Sequence, residues 1–348
     1  MLGDLSKLAD KAFIIGFYLP ALLATLALSW VLRDVALFRL ILDSALQPEK
    51  LEKLFIVVLL VWFAAVVLLV CNRFMTRTLE GYHCPSWIAS ALRERALKRR
   101  GSALNQLKEV QTNFEDLDRS ANELKAAGNA PDKAATLRKQ SEDARRSYFE
   151  LLRKYQLRNP PNRSDTLPTR FGNIFRSFEA YPTEAYGVES IHTWPRLMPL
   201  ISADQRTALE NTKSFVDFFV CGTFLTIALG VIALAQWVRF IVHDEALPQE
   251  TYLLFVAAGS FLLSIFAYKG ALSAALEYGE VVKSTFDLYL PALAKQLGFD
   301  WKNPVQARPF WNYVDRQIRF QEAIPSEFWE AKKPRIAFPL PSRKDAKP

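Results

Sequence analysis

The residues able to do chemistry in this 348-residue chain are few and scattered. The three histidines, His83, His192 and His243, are spread over 160 positions. His83 and Cys84 are adjacent and offer two metal ligands, yet no second Cys/His pair at zinc spacing completes a set of four. Glu179, Glu184, Glu189 and His192 assemble into an acid–base set on paper only, in a stretch already rich in carboxylates. None of the GxGxxG, GxxxxGK[ST], HExxH or GxSxG patterns occurs. Nucleotide, metalloprotease and serine-hydrolase chemistry therefore lack their first requirement. The reading at this point is a non-enzyme with no catalytic residue, no cofactor and no metal.

Two ionisable groups stand apart because they sit inside apolar blocks, where a charge is expensive and usually faces a partner or water. These are Asp217 and Lys269. Three roles stay open for them: each snorkels to the headgroups, the two form an interhelical ion pair, or they line a conduction pathway. Asp217 is about 33 Å along a helix from Arg239 and Lys269 about 25 Å from Tyr252, so a direct pair requires the lysine to reach inward.

The elements that must position these groups are four apolar blocks. Ala12 to Leu32 contains no charge, and its 21 residues suffice to cross a hydrocarbon core of about 30 Å. It reads as a retained span rather than a cleaved leader, since it exceeds a typical leader core and no small-x-small cleavage site follows. Leu54 to Cys71 is uncharged, Phe215 to Val242 carries Asp217 and Arg239, and Tyr252 to Leu276 carries Lys269. With 50% apolar residues and a mean hydropathy of +0.02, the chain is no ordinary soluble globule. The predicted fold class is an all-α integral membrane protein, with four transmembrane helices and a cytoplasmic helical hairpin inserted between spans 2 and 3. The predicted divisions are 1–76 and 214–276 as transmembrane hairpins, 77–213 as the cytoplasmic segment, and 277–348 as a helix extension and proline-rich tail.

Orientation follows from Lys and Arg in the flanks. Residues 72–213 hold 24 basic and 17 acidic groups, whereas residues 1–71 hold 6 of each, and the turn HDEALPQET between spans 3 and 4 has neither Lys nor Arg. By the positive-inside rule both termini and the 72–213 segment are cytoplasmic. Arg33, Arg39, Lys50 and Lys53 in the first outer connection argue the other way. Cys71, Cys84 and Cys221 are expected as free thiols, an odd and scattered set that makes no disulfide framework.

Within the cytoplasmic segment, apolar residues at intervals of three and four predict one helix from Ser86 to about Gly128 and a second from Asp132 to about Leu157. The basic run Arg93, Arg95, Lys98, Arg99, Arg100 is either a solvated face or a contact with anionic lipid headgroups. A sequence pI of 9.3 raises nucleic acid as a partner, but basic and acidic residues interleave and no nucleic-acid-binding signature appears, so none is expected.

The least generic stretch is 166–201. Phe171, Ile174, Phe175, Phe178 and Tyr181 fall on one helical face, with Thr169 as N-cap and Arg170 and Arg176 alongside. That face is either an interfacial or docking surface or ordinary core against the hairpin. Pro182, Gly187 and Pro195 predict an irregular path leading to Trp194 and Met198. The fourth span continues a helical pattern through Phe286 and Tyr289 to Pro291. Beyond it, prolines interspersed with Trp301, Phe310, Trp311 and Trp329 read as a tail laid over another surface.

The phrases LEGYHCPSW, LPTRFGN, AYPTEAYGVES, TWPRLMPLI and AALEYGEVVKSTFDLYLPALAKQLG, in that order and over about half the chain, resemble a family of uncharacterised bacterial multi-pass membrane proteins. The resemblance implies a bacterial cytoplasmic-membrane protein with four spans, and it carries no activity and no site residue. The functional expectation is a scaffold or sensor presenting a cytoplasmic helical module to a protein partner or a sister copy, with membrane lipid as its other contact. The rival is an oligomeric channel or membrane-perturbing effector gated by that module.

Overall fold

Helix α1, Lys11–Val31, is uncharged after its first residue and interrupted by a π-helical turn at Ile14–Tyr18. Pro20 explains the turn. It supplies no N–H to the carbonyl one turn back, and the ladder adjusts so that Leu19 N–H bonds to Ile14 O, one residue further than an α-helix would reach. Helices α2 (Leu51–Glu80), α3 (Ser86–Ala126), α4 (Pro131–Arg158), α5 (Arg170–Tyr186), α6 (Ser190–Leu197), α7 (Ala203–Val242), α8 (Tyr252–Gln296) and α9 (Pro304–Phe320) follow, and no strand occurs among the described residues. The computed structural model describes residues 11–33, 35, 38, 39, 41, 51–127, 131–242, 251–299 and 304–323, with backbone only at 51–53 and 304–307. His243, the turn between spans 3 and 4 up to residue 250, Trp301, Trp329 and the tail from 324 lie outside the described residues.

Helices α1, α2, α7 and α8 are long and apolar enough to cross a membrane. Helices α7 and α8, with 40 and 45 residues, run to about 60 Å or more and continue well past a 30 Å hydrocarbon layer. Their exposed faces carry large apolar side chains, among them Phe63, Val70, Phe255, Leu262 and Phe266. In water this would be an aggregation surface, and in lipid it is solvated.

The chain divides into two compact units: residues 1–178 with 206–281, and residues 179–205 with 282–348. In the first unit the four spans run up, down, up, down. At one end, a Cβ at Gly16 of α1 would sit 3.3 Å from Asp217 Cβ of α7, Asn72 of α2 hydrogen-bonds Asp217, and Gly270 of α8 lies against the Phe219 ring. At the other end, Val31, Ala233, Leu253 and Ala257 form a buried core with Trp237 and Tyr252 packed on it. Here Trp30 meets Tyr252 at 5.2 Å and Arg33 lies over the Tyr252 ring, the aromatic and cationic furnishing of a membrane interface.

Helices α3 and α4 form an antiparallel pair, since Phe114 meets Tyr148 at 5.4 Å and Ser141 Oγ donates to Phe114 O, while Arg100 lies over the Tyr155 ring. The seam is narrow, with Ala96, Leu107, Ala121 and Ser141 buried. The remaining faces are polar and carry pairs such as Glu94–Lys98 and Arg138–Glu142 at one-turn spacing.

In the second unit, α5 runs on through Pro182 to Tyr186, and Pro195 lies within α6, so the irregular path predicted for this stretch is helical except at 187–189. Gly187 has φ of 78°, and this left-handed residue turns the amides of Gly187 and Val188 back onto the carbonyls of Thr183 and Pro182. The segment read as part of a laid-over tail is helix α9. Its Phe310 and Trp311 are each 1% exposed, and Phe310 stacks on Phe299 at 4.1 Å.

Candidate functional site

Asp217 directly precedes the uncharged run Phe218–Val238 of α7, and its side chain is 9% exposed. Its Oδ1 accepts from Lys213 Nζ, one turn back on the same helix, and from Asn72 Nδ2 of α2 at 3.0 Å. The missing Cβ of Gly16 lets α1 pack closely on α7 at the Asp217 Cβ and the Ser214 backbone. Three spans therefore converge on one buried charge. Its partner is Lys213, a residue that lies outside the apolar block. The spacing of four residues was the available signal. Asn72 Oδ1 and Thr76 Oγ1, one turn apart on α2, are buried beside it with no hydrogen-bond partner among the described residues. Chemically, the cluster is an ion pair with one neutral donor, and the lysine already occupies the position a ligand cation would take.

Lys269 has other neighbours. Its ammonium lies 5.7 Å from the Phe266 ring centroid, and its side chain lines a cleft shared with α3, α4 and α5. The structure thus gives Asp217 and Lys269 different partners, although the packing of Gly270 on Phe219 and the 3.8 Å approach of Ala267 to a Gly222 Cβ place them within about one turn in depth.

The aromatic face is divided between the two units. Phe171, Ile174, Phe175 and Phe178 are buried in the first, where Phe178 meets the Tyr278 ring edge-on at 5.7 Å and packs onto Gly279 of α8. Helix α5 begins as the sequence requires: Thr169 Oγ1 caps it by accepting from Gly172 N–H at 2.9 Å and itself donates to Glu80 O at the end of α2. Asn173 closes the entry by bonding both backbone groups of Leu167. Tyr181 belongs to the second unit. There Tyr181 and Tyr186 hydroxyls both donate to Asp287 Oδ1, at 2.8 and 2.7 Å, and Lys283 lies over the Tyr181 ring. Burial and the Asp287 carboxylate hold both phenols protonated well above their ordinary range. Trp194 is half-buried and packs on Phe286 at 5.6 Å.

The basic run of α3 has a division of labour that its sequence does not display. Arg100 is buried and its guanidinium donates to the carbonyls of Pro160 at 2.5 Å and Pro161 at 2.7 Å, while Arg93 donates to Ser164 O at 2.7 Å and Thr166 O at 3.0 Å. These two arginines fasten the proline-rich connection between α4 and α5. Lys98 pairs with Glu94 on the exposed side, and Arg99 points to the cleft of Lys269. The thiols of Cys71, Cys84 and Cys221 are free, and no group of three His, Cys, Asp or Glu side chains suited to a metal occurs among the described residues. His83 accepts or donates a hydrogen bond with Thr78 and stacks on Phe74.

No family model, no curated protein and no solved structure matches this chain.

Proposed function

We propose that this protein is a non-enzymatic anchor of the bacterial cytoplasmic membrane, related to the four-span family it resembles, which presents the α3–α4 hairpin and the 179–205/282–348 unit to a protein partner on the cytoplasmic side. The observation that carries the reading is the closure of the Asp217 cluster. An intramembrane charge matched by Lys213, held by Asn72 and packed against α1 at Gly16 acts as a lock between spans rather than as a step on an ion path. Outside the apolar layer, the chain builds a hairpin whose longer arm is about 60 Å and whose polar faces are exposed, which leaves a large surface open to a protein partner. The cationic excess of residues 72–213 supports their placement on the cytoplasmic side.

The test is the mass and composition of the complex extracted from native membranes into nanodiscs. The expected result is a second protein in fixed stoichiometry, lost when the exposed hairpin face is altered by Arg145→Glu with Phe149→Glu. A complex of this chain alone refutes the reading. So does depolarisation of a bacterium expressing it that disappears in Asp217→Ala, which is the behaviour of a channel.

A further inference from the structure

The cleft around Lys269 has a volume of 460 Å³ and is built from four helices. Helix α8 contributes Lys269 and Ser273 from one face, α3 contributes Arg99 between the small residues Ala96 and Ala103, α4 contributes Arg158, and α5 contributes Arg170. Four cations line it, and no carboxylate does. That composition is unusual for this chain, whose other exposed cations in the hairpin are interleaved with acids. All four side chains are exposed within the cleft and therefore reachable.

The arrangement is electrostatically costly as it stands. Arg170 is the first residue of α5, where the positive end of the helix dipole disfavours a cation. Partial burial and the neighbouring guanidiniums of Arg170 and Arg95 depress the affinity of Arg99 for its proton. Folding brought these groups together from α3, α4, α5 and α8, and solvation of a single surface face does not require that convergence. An anion held among them would offset the repulsion.

Depth decides which anion. Lys269 lies about 25 Å along α8 from Tyr252, close to the edge of a 30 Å hydrocarbon layer that begins at the Tyr252 end. Leu272 and Leu276 line the cleft on the same helix face, while Phe266, Leu262 and Leu263 continue exposed into the apolar layer. A cationic pocket of headgroup size thus opens at headgroup level beside a surface suited to acyl chains.

We propose that this cleft is a binding site for a phosphate-bearing anion, supplied by an acidic phospholipid headgroup, with Arg99, Arg158, Arg170 and Lys269 as its cationic ligands. The Gly172 and Asn173 N–H groups at the α5 start are already engaged by Thr169, so the cationic side chains hold the phosphate. The site is independent of the partner-docking reading above.

The test uses the full chain in a neutral detergent, with bound lipid counted by native mass spectrometry during titration with phosphatidylglycerol, with phosphatidylcholine, and with inorganic phosphate. The expected result is tighter binding of phosphatidylglycerol than of phosphatidylcholine, weakened about thirty-fold by Arg99→Gln with Arg170→Gln, as follows from about 1 kcal/mol for each cation near an anionic surface. Arg95→Gln with Lys98→Gln removes the same charge from α3 outside the cleft and is expected to leave binding within about two-fold. Lys269→Gln is a second, single-site variant. A further readout separates ligand binding from a structural role: in lipid-free detergent at low salt, Arg99→Gln is expected to raise thermal stability, because it relieves repulsion. If inorganic phosphate binds in a manner that depends on the cleft and phosphatidylglycerol does not, the site takes soluble phosphate and the lipid source is overturned. If neither binds preferentially, or if the control pair weakens binding as much as the cleft pair, the site itself is overturned.

Discussion

Replacing Lys213 by Met tests whether the Asp217 cluster locks the spans, because the two halves of the ion pair are unequally buried. The Asp217 side chain is 9% exposed and the Lys213 side chain 35%. Removing the lysine leaves a carboxylate enclosed by α1, α2 and α7 with one neutral donor, Asn72, at 3.0 Å. Breaking a buried pair in this way costs about 3–5 kcal/mol, and the partial exposure of Lys213 puts the value at the lower end, about 3 kcal/mol. The opposite change, Asp217→Asn, keeps an oxygen for Asn72 Nδ2 to donate to and leaves an ammonium that reaches water, so it costs about 1 kcal/mol, the worth of one hydrogen bond. The double variant is expected to match Asp217→Asn alone, giving a coupling of about 3 kcal/mol. The assay is the fraction of detergent-extracted protein that stays monodisperse after graded heating or denaturant, where 3 kcal/mol is more than a hundred-fold in the unfolding equilibrium. Equal losses from the two single variants, or additive losses in the double variant, would refute the lock.

Three further outcomes follow from named contacts. Gly16→Leu inserts a side chain where a Cβ alone already lies 3.3 Å from Asp217 Cβ, and is expected to cost about 1–3 kcal/mol of stability in the same assay, with Gly16→Ala well below it. Arg100→Lys is expected to fail almost as fully as Arg100→Met, because one ammonium cannot reproduce a planar guanidinium that reaches the carbonyls of both Pro160 and Pro161; the readout is faster amide exchange at Asp165 and Thr166 and cleavage of the 159–166 connection by added protease. Asp287→Asn is expected to lower the spectrophotometric ionisation of Tyr181 and Tyr186 toward the ordinary phenol range without abolishing the burial contribution. Since both folded-state values are raised, the unit they belong to is expected to be fully stabilised by them below about pH 10 and to lose that stabilisation as pH rises further, which amide exchange across 179–205 measures after short alkaline pulses.

The spans were legible because their signal is one-dimensional: lengths of uncharged residues fix α1, α2, α7 and α8 without knowledge of any neighbour. The hairpin was legible for a related reason, since apolar spacing on α3 and α4 and the cap and breaker residues between them are local. Proline obscured three helices that absorb it, although Pro20 did not hide the first span. Pro182 and Pro195 lie inside α5 and α6, and Pro309 lies inside α9, although each was read as a break or as part of a tail. The local penalty of about 3 kcal/mol for an interior proline is met there by burial, as at Phe310 and Trp311 beside Pro309.

The sites were less legible than the fold, and for a definable reason. Asp217 and Lys269 are the charges that stand out inside apolar blocks, yet the charged groups that meet them lie outside those blocks, a counter-ion for Asp217 and like charges for Lys269. Lys213 lies outside the block and belongs to α7 itself, while Arg99 and Arg158 belong to the hairpin helices, whose charges could equally be a solvated face, and Arg170 to the start of the aromatic helix α5. Within the run Arg93 to Arg100, neighbouring cations have opposite fates: Arg100 is consumed by two proline carbonyls, and Arg99 is left to the cleft. A rotation of about 100° per residue separates these fates, and only the position of the α4–α5 connection decides which arginine meets it. The charge of the segment is therefore the ground for its proposed side of the membrane, whereas the use of each cation depends on contacts made 60 residues further along the chain, as between Arg100 and Pro160.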